Sequence, residues 1–343
     1  MKKLLNTFYV TLSDVYLSLD GENIVIKQND TELQRVPLHN LEGIVTFGRQ
    51  GASPALMRKC AESGISLAFL TDYGRFQACV VGEERGNVLL RRTQYRFADD
   101  EDKSLKIAQN ILLGKLFNSR WVLERTLRDH ALRVDVEKIK QTARFISSAG
   151  MKVRQAQSNG ELFGIEGEAA SCYFSVFNEL ILNNKEDFFF TRRSRRPPLD
   201  NVNALLSFVY TLLANDYSSA LSVVGLDPFV GFLHKDRPGR RSLALDLMEE
   251  MRAPLADRFV IKLINMRQLV GADFVRKESG AVLLRDDARK TFLAAWQNRK
   301  QEQIEHPFLK EKIAWGLVPH AQALLLARYL RGDLDEYPPF FWK

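Results

Sequence analysis

The sequence predicts an α+β protein in which a small N-terminal β-rich domain precedes a larger, all-helical domain. Short runs of β-branched and aromatic residues dominate the first part of the chain, whereas helical periodicity begins near Ser104 and continues almost to the end. Between them, around residues 86–102, charges crowd and the apolar periodicity breaks. At 343 residues the chain is long enough for two domains. We therefore expect domains at residues 1–95 and 96–343.

The N-terminal region reads as a series of strands with one helix. An Asp20-Gly21 turn signal predicts a hairpin over residues 15–27. A helix over residues 54–62, ended by Gly64, separates two apolar runs and favours one parallel pairing within an otherwise antiparallel sheet. The expected strands are 8–12, 15–19, 24–27, 41–47, 65–70 and 76–81.

The second region is expected to be helical, with a loop or hairpin at residues 274–284. Gly150 is expected to end the second helix, and Asp200 or Asn201 to cap the fourth. The tail from Tyr337 to Lys343 contains two prolines and four aromatic residues, and the sequence leaves open whether it docks or stays loose. The expected helices are 104–128, 134–149, 161–182, 201–224, 242–252, 255–269, 288–305 and 315–330.

Composition narrows the function classes. The net charge of +7 and the pI near 9.2 favour a polyanionic partner, of which nucleic acid is the commonest. No run approaches the roughly 20 apolar residues of a membrane span, and the N-terminus lacks the apolar core of a signal peptide. Cys60, Cys79 and Cys172 are scattered, which argues for a reducing cytoplasm and against zinc or a disulfide framework.

The stretch from Gly225 to Arg252 contains a first candidate site. His234 ends an apolar run, a basic turn follows, and the next helix carries Asp246, Glu249 and Glu250 within about one third of its circumference. An imidazole beside several carboxylates is a set of ligands for a divalent metal. The alternative is an amphipathic helix whose acids form an ordinary solvated face.

A second stretch strengthens the metal hypothesis. On a helical wheel of residues 161–182, Glu166 falls at the centre of an apolar stripe. A buried carboxylate is costly unless it is paired, hydrogen-bonded or bound to a metal. Pairing with a buried arginine, or a helix that begins near Gly167 and leaves Glu166 in a loop, remains open.

Two arginine clusters are candidates for DNA binding. TRRSRRPPLD at residues 191–200 concentrates positive charge in a loop that directly follows the Glu166 helix, within reach of phosphates approaching a metal there. For an arbitrary charge run, a solvated loop without function is the alternative. The clusters are Arg192, Arg193, Arg195 and Arg196, and Arg237, Arg240 and Arg241.

Four motifs make the chain similar to a known family. They are GIEGEAASCYF at 164–174, RRSRRPPLDNVNALLSFVYTLL at 192–213, VGLDPFVGFLH at 224–234 and SLALDLMEEMR at 242–252. Essentially the whole chain resembles the CRISPR-associated integrase, the adaptation nuclease that inserts new spacers into CRISPR arrays, and it looks closest to subtype I-C members. The family commonly reads EEFRP where this chain reads EEMRAP at residues 249–254, so an alanine stands before the proline.

This resemblance implies a catalytic metal site formed by Glu166, His234 and Glu249. Asp246 matches a position where some members carry an additional acid, either as a ligand or as a residue that orients His234. The resemblance also implies a β domain that dimerises, a helical catalytic domain, a small second adaptation protein as partner, and prespacer and repeat DNA as substrates. Two carboxylates and an imidazole suit Mg²⁺ or Mn²⁺.

The expected reaction is attack of a DNA 3′-hydroxyl on a repeat phosphodiester, with water as an alternative nucleophile. Two other functions compete with this one. The first is a non-catalytic, basic DNA-binding scaffold whose acids pair with Arg237, Arg240 and Arg241. The second is a nuclease that acts on branched DNA in repair.

Overall fold

A computed structural model describes residues 7–343 except 13, 42, 48–49, 72–75 and 81–87, and of Phe76 it describes the backbone alone. The chain divides into two compact units. The first comprises Met1–Gly86 and Leu284–Glu302, and the second comprises Asn87–Leu283 and Gln303–Lys343. The last residue of the predicted strand 76–81 and the start of the predicted boundary, residues 86–87, lie outside the described residues.

The described strands of the first unit form two sheets. The strands are β1 (Thr7–Val10), β2 (Tyr16–Asp20), β3 (Asn23–Gln28), β4 (Thr31–Pro37), β5 (Gly43–Phe47), β6 (Ser66–Leu70) and β7 (Phe76–Val80). In one sheet, β1 and β5 are parallel, β5 and β6 are parallel, and β7 closes the edge antiparallel to β6. In the other, β2, β3 and β4 form an antiparallel meander.

The hairpin at Asp20-Gly21 is confirmed, because β2 and β3 pair across a turn in which Gly21 has φ of +56°. The expectation of a single sheet with one parallel pair was wrong. The meander pairs within itself, which leaves β1 to join β5 as a second parallel pair. Strand β4 was missed because its first five residues are exposed, so it lacks the alternation that marks a half-buried strand.

Two helices of the first unit lie within the described residues. Helix α1 (Pro54–Ser63) begins after Ser53, whose hydroxyl accepts from the Leu56 N–H at 3.2 Å, and ends at Gly64 with φ of +69°. Helix α9 (Asp286–Gln301) joins this unit although it lies far along the chain, whereas the sequence placed it in the helical domain. Arg289 of α9 donates to the Thr11 carbonyl at 3.3 Å.

The second unit is mainly helical. Its helices are α2 (Val88–Asp99), α3 (Glu101–His130), α4 (Val136–Gln155), α5 (Asn159–Ser175), α6 (Asn201–Val224), α7 (Ser242–Met251), α8 (Arg258–Asn265) and α10 (Val318–Leu330). Helix α3 is the longest; its 30 residues span about 45 Å, and it packs against α4, α5 and α7. Two short ribbons pair β8 (Phe274–Arg276) with β9 (Val282–Leu284) and β10 (Gln303–Glu305) with β11 (Lys312–Ala314).

Several helix boundaries differ from the predictions. Gly150 does not end α4, which continues to Gln155; the Leu113 side chain of α3 lies 4.0 Å from the position that a Cβ of Gly150 would occupy. The predicted helix 161–182 ends at Ser175 and continues as a 3₁₀ turn, Phe177–Leu180. The Asp200 cap of α6 is confirmed, since its carboxylate accepts from the Asn203 N–H at 2.7 Å. Between α7 and α8 the chain makes a π-helical turn, Arg252–Asp257.

The C-terminal tail docks, which the sequence had left open. Tyr337, Phe340 and Trp342 are buried. The buried Asn118 of α3 donates to the Phe340 carbonyl at 2.7 Å and accepts from the Trp342 N–H at 2.8 Å. The tail is therefore held to α3 by hydrogen bonds between the Asn118 side chain and the tail backbone, as well as by apolar packing. Among the described helices, none combines the length and apolar character needed to cross a bilayer.

Candidate metal and nucleic-acid site

Asp246 of α7 organises the loop that carries His234. Its carboxylate is fully buried and accepts from three consecutive backbone N–H groups, those of Phe232, Leu233 and His234, at 2.7–2.9 Å. It also lies 2.6 Å from His234 Nδ1. The hydrogen of the neutral imidazole is therefore placed on Nδ1, which leaves the Nε2 lone pair for another partner. Within the described part of the chain, Nε2 has no hydrogen-bond partner.

Neighbouring elements also hold this loop. A Cβ at Gly231 would lie 2.7 Å from Asp246 Oδ2, so the close approach of loop and helix requires glycine. The buried Gln94 of α2 donates to the carbonyls of Asp227 and Val230 at 2.8 and 2.9 Å and accepts from the Asp227 N–H. Ser104 of α3 donates to the Phe232 carbonyl at 3.1 Å. Asn159 of α5 donates to the same carbonyl at 3.1 Å, so α2, α3, α5 and α7 all help to position the loop of His234.

Glu166 lies well inside α5, which begins at Asn159 after the Ser158 cap. A helix start near Gly167 is therefore excluded. The Glu166 side chain is 26% exposed, and its Oε1 forms an ion pair with Lys115 of α3, not with an arginine. Lys115 itself is 11% exposed at the side chain. A carboxylate on the apolar stripe is accordingly compensated by a buried ammonium group.

Glu249 of α7 completes the acidic pair. The same Lys115 Nζ lies 2.8 Å from Glu249 Oε2, and Arg252 lies 3.0 Å from Glu249 Oε1. Burial of this side chain opposes its ionisation, but Arg252, Lys115 and His234 outweigh that effect and lower the pKa of Glu249 to about 2. Glu249 is therefore a carboxylate at any physiological pH.

The donor types at this site fit a divalent metal, but their spacing does not. Glu166 and Glu249 offer carboxylate oxygens, and His234 offers Nε2, a set that suits Mg²⁺ or Mn²⁺. Yet no group of three or more His, Cys, Asp or Glu side chains among the described residues converges closely enough to hold a metal ion. The ammonium of Lys115 instead lies between the two glutamates.

The acidic residues of α7 do not form a solvated face. Asp246, Glu249 and Glu250 are 0%, 3% and 0% exposed, which rules out the amphipathic alternative. Glu249 pairs with Lys115 and Arg252, whereas the scaffold alternative had predicted Arg237, Arg240 or Arg241 as the partners of the acids.

Glu250 points away from the site and belongs to the tail. Its Oε2 accepts from Gln322 Nε2 at 2.8 Å, from the Tyr337 hydroxyl at 3.2 Å and from the Phe340 N–H at 3.3 Å. Burial raises the pKa of Glu250 to about 8, against the opposing effect of these three donors.

A small cavity of about 30 Å³ is lined by Glu166 and by Lys115, the residue that bridges Glu166 and Glu249. Its walls include both acidic and basic groups, and Asp257 lies at one side, where Tyr173 donates to it at 3.1 Å and Tyr210 also donates. Burial raises the pKa of Asp257 to about 6, while the two tyrosine donors oppose that shift. The residues with charged or hydroxyl groups that line the cavity are Lys115, Ser119, Glu166, Tyr173, Arg195, Tyr210, Arg252 and Asp257.

The structure divides the predicted arginine loop. Arg192, Arg195 and Arg196 are exposed, as the sequence predicts. Arg193 is not, because its guanidinium donates to Asn203 Oδ1 at 2.6 Å and to Ser207 Oγ at 3.2 Å, and lies over the Tyr210 ring. Arg193 therefore anchors the loop to α6, whereas the other three present charge to solvent.

The second arginine cluster is divided in the same way. Arg237 is exposed, and Arg240 and Arg241 are half-buried. Arg241 donates to Asn215 Oδ1 of α6 at 2.8 Å. Of this cluster, Arg237 is the residue with the most freely accessible charge.

Lys115 and Arg252 are the site residues that the sequence analysis missed. A signal for Lys115 was present, because it lies at helical spacing from Ile107, Ile111 and Leu112 on the apolar stripe of α3. A lysine on a buried stripe requires a partner, as a glutamate does. Arg252 also gave a signal, because it lies three residues after Glu249, the spacing at which a helix brings opposite charges together.

Comparisons with known proteins agree with this architecture. The family model for CRISPR associated protein Cas1 matches residues 8–298. The chain is 52% identical over 343 residues to CRISPR-associated endonuclease Cas1 1 of Chlorobaculum tepidum, with 100% of each covered. It is 53% identical over 351 residues to CRISPR-associated endonuclease Cas1 2 of Rhodospirillum rubrum, again with 100% of each covered. A solved casposase bound to integration product has a TM-score of 0.84 at 24% identity, with 98% of this chain and 94% of that chain covered.

Proposed function

The chain belongs to the Cas1 family of CRISPR-associated proteins, and from that premise we propose that it is a metal-dependent DNA endonuclease and integrase. In this proposal it inserts prespacer DNA into a CRISPR array through attack of a DNA 3′-hydroxyl on a repeat phosphodiester. Its full-length relatives in Chlorobaculum tepidum and Rhodospirillum rubrum are named endonucleases. The likeness to the casposase supports the fold alone. Membership of subtype I-C remains a prediction.

One observation carries the proposal. Glu166 of α5 and Glu249 of α7 both contact the ammonium group of Lys115. Lys115 and other basic side chains line a cavity beside this contact. A phosphodiester carries one negative charge and gains more on its oxygens as it is attacked, so it needs concentrated positive charge. Two carboxylates can contribute to a site that needs positive charge if they hold a divalent cation there.

Glu166, Glu249 and His234 would hold Mg²⁺ or Mn²⁺. When bound, the metal would lower the pKa of the attacking hydroxyl and neutralise charge on the phosphorus oxygens. Asp246 acts through His234, because it holds Nδ1 and the loop backbone and so directs Nε2. We assign it to positioning and not to the ligands.

The basic residues have separate roles in this proposal. Arg252 keeps Glu249 ionised and oriented, since it lies 3.0 Å from Oε1. Arg195 lies on the wall of the cavity and is exposed, so its guanidinium can contact a phosphate oxygen there. Arg192, Arg196 and Arg237 would follow the DNA backbone further from the reacting atoms.

The assembly is part of the same proposal. The β-rich region, residues 1–95 by the sequence prediction, would carry the contact of a homodimer, and residues 96–343 would bind metal and DNA. A small second adaptation protein would join two such dimers on a prespacer duplex. The reaction would take place in the cytoplasm, where the CRISPR array is located.

A joining assay tests the function. A labelled prespacer duplex with 3′-hydroxyl ends is mixed with a plasmid that carries a leader and repeat, the purified chain and its partner protein. We expect label in the plasmid with Mn²⁺ or Mg²⁺ and none with EDTA. A duplex with 3′-dideoxy ends is the matched control, because it lacks the nucleophile and should not be joined.

The same assay separates the alternatives. A scaffold would bind both duplexes and neither cleave nor join them under any metal. A repair nuclease would cleave branched DNA with metal but leave the label outside the plasmid. Either pattern would contradict the proposal.

A further inference from the structure

We propose that Lys115 closes the metal site, and that a divalent cation binds between Glu166 and Glu249 only by displacing the Lys115 ammonium group. The inference rests on the proposed function, because it assumes that these glutamates bind metal. Glu166, Glu249 and His234 are donor types that suit a metal, yet no three such side chains among the described residues lie close enough to hold one. An ammonium group that occupies the place of the metal explains this spacing.

The contacts of Lys115 place it in direct competition with a metal. Its Nζ is ion-paired with Glu166 Oε1 and lies 2.8 Å from Glu249 Oε2. A metal held by both glutamates would need oxygens from the same two side chains. An ammonium and a divalent ion cannot share those oxygens at contact distance, since they repel each other.

Burial explains why a cation is needed in the absence of metal. The Glu249 side chain is 3% exposed and faces the Lys115 ammonium and the Arg252 guanidinium, and without a nearby positive charge its carboxylate would be strongly destabilised. Arg252 compensates the charge at Glu249 Oε1. Lys115 compensates the charge at Glu249 Oε2 and also the carboxylate of Glu166. The lysine thus keeps two carboxylates from different helices together.

Lysine is also suited to withdraw. Its ammonium is carried by a flexible chain of four carbons, unlike the rigid fork of arginine. The side chain already lies on the wall of the cavity that Arg195 and Tyr210 also line, so the ammonium can turn toward that space without unpacking α3. Once there, it would add positive charge where a phosphate is expected.

Chemical labelling of the unmodified protein tests displacement. Lysines are dimethylated with formaldehyde and a borane reductant, with saturating MnCl₂ or with EDTA, and each site is quantified by peptide mass spectrometry. We expect Lys115 to be protected in EDTA and labelled severalfold faster with Mn²⁺. Lys106, an exposed lysine about 14 Å away along the same helix, should be labelled equally in both. Equal labelling of Lys115 in both conditions would overturn the inference.

Metal affinity provides the second test. Calorimetric titration with MnCl₂ compares the wild type with Lys115→Met, which keeps the length of the side chain and removes its charge. We expect Mn²⁺ to bind Lys115→Met about tenfold more tightly, because no ammonium must be displaced. Lys106→Met is the matched control and should bind as the wild type does. An unchanged or weaker affinity for Lys115→Met would count against the inference.

The two tests distinguish the inference from the function on which it rests. If the wild type and Lys115→Met bind Mn²⁺ equally and Lys115 labelling is insensitive to metal, the inference fails and the metal site stands. If neither variant binds Mn²⁺, both fail. Should Lys115→Met not fold, the labelling experiment still decides, because it uses the wild-type chain.

Discussion

Two neighbouring glutamates on α7 have opposite environments. Glu249 faces Lys115 and Arg252, and its pKa is lowered to about 2. Glu250, one residue later, faces Gln322 and the docked tail, and burial raises its pKa to about 8. Both side chains are almost completely buried. The difference therefore comes from what faces each carboxylate: formal positive charge for Glu249, and only neutral hydrogen-bond donors for Glu250.

This comparison shows how one helix can serve two purposes. A turn of about 100° per residue places consecutive side chains against different neighbours. The side of α7 that carries Glu249 faces charged groups, and a buried carboxylate with a strongly shifted pKa is typical of a functional site. The side of Glu250 connects α7 to the tail and to α10 through neutral groups. Four experiments test this division, here in order of their expected effect on activity.

Replacement of the proposed metal ligands should have the largest effect on the joining rate. Glu249→Ala, Glu166→Ala and His234→Ala should each lower the joining rate by at least about 10²–10³-fold, because each removes a proposed metal ligand. The measurement is plasmid joining under saturating Mn²⁺. Glu168→Ala is the control, since Glu168 is an exposed glutamate on the same helix as Glu166. Full activity in any of the three would remove that residue from the site.

Asp246→Asn should have a smaller effect, which depends on metal concentration. An amide cannot accept all the hydrogen bonds that the carboxylate receives from the loop, so His234 Nε2 should lose its fixed direction. We expect a loss of about 10–100-fold at limiting Mn²⁺ and partial recovery at high Mn²⁺. A loss that is the same at every Mn²⁺ concentration would instead make Asp246 a ligand.

The exposed arginines should affect binding more than chemistry. A triple variant in which Arg192, Arg195 and Arg196 are replaced by Ala should bind duplex DNA more weakly without regard to sequence. The slope of log K against log salt should flatten by about 0.9 for each phosphate that the variant no longer neutralises. Fluorescence anisotropy over a salt series measures this slope.

Arg193→Ala is the matched comparison for that triple variant. Because Arg193 is bonded to Asn203 and Ser207, its removal should lower the melting temperature more than it changes the salt slope. An unchanged slope in the triple variant would place the DNA path elsewhere, with Arg237 as the next residue to test.

Glu250→Gln should leave joining activity nearly unchanged and alter stability instead. The folded-state pKa of Glu250 is raised, so the wild type loses stability as pH increases from about 4.5 to about 8, where the unfolded chain ionises and the folded chain does not. The decrease over that interval is of the order of a few kcal/mol. Chemical denaturation at several pH values should show a flatter profile for Glu250→Gln and greater stability near pH 8.

In the same experiment, Glu249→Gln should change the stability at neutral pH in the opposite direction. The folded-state pKa of Glu249 is lowered, so its contribution is present above about pH 4.5 and is lost as pH falls toward 2. The variant should therefore be less stable than the wild type at neutral pH. If both glutamine variants changed stability in the same direction at neutral pH, the division between the two sides of α7 would be incorrect.

Periodicity and motif spacing predicted much of this molecule. The α+β class, the Asp20-Gly21 hairpin and the cap at Asp200 are visible in local patterns, because each depends on residues close together in the chain. The sheet pairing was not predictable in this way. The partner of β1 is β5, and nothing within either strand specifies that choice.

The sequence predicted part of the candidate site in the same way. The sequence indicated that Glu166 needs compensation, and the structure supplies Lys115 from a helix 51 residues earlier. The contrast between Glu249 and Glu250 was invisible, since a helical wheel places both on one acidic arc. Their environments depend on α3 and on a tail that the sequence could not place.

The π-helical turn at Arg252–Asp257 has a consequence for how relatives are aligned. The family pattern EEFRP, set beside EEMRAP at residues 249–254, makes Ala253 an inserted residue before Pro254, and a one-residue insertion in a regular helix would rotate everything after it by about 100°. A π turn absorbs such an insertion locally. Arg252 can thereby contact Glu249 while Asp257 still meets Tyr210. Ala253 is therefore accommodated without loss of either contact, and a comparison with the pattern EEFRP requires a gap at this position.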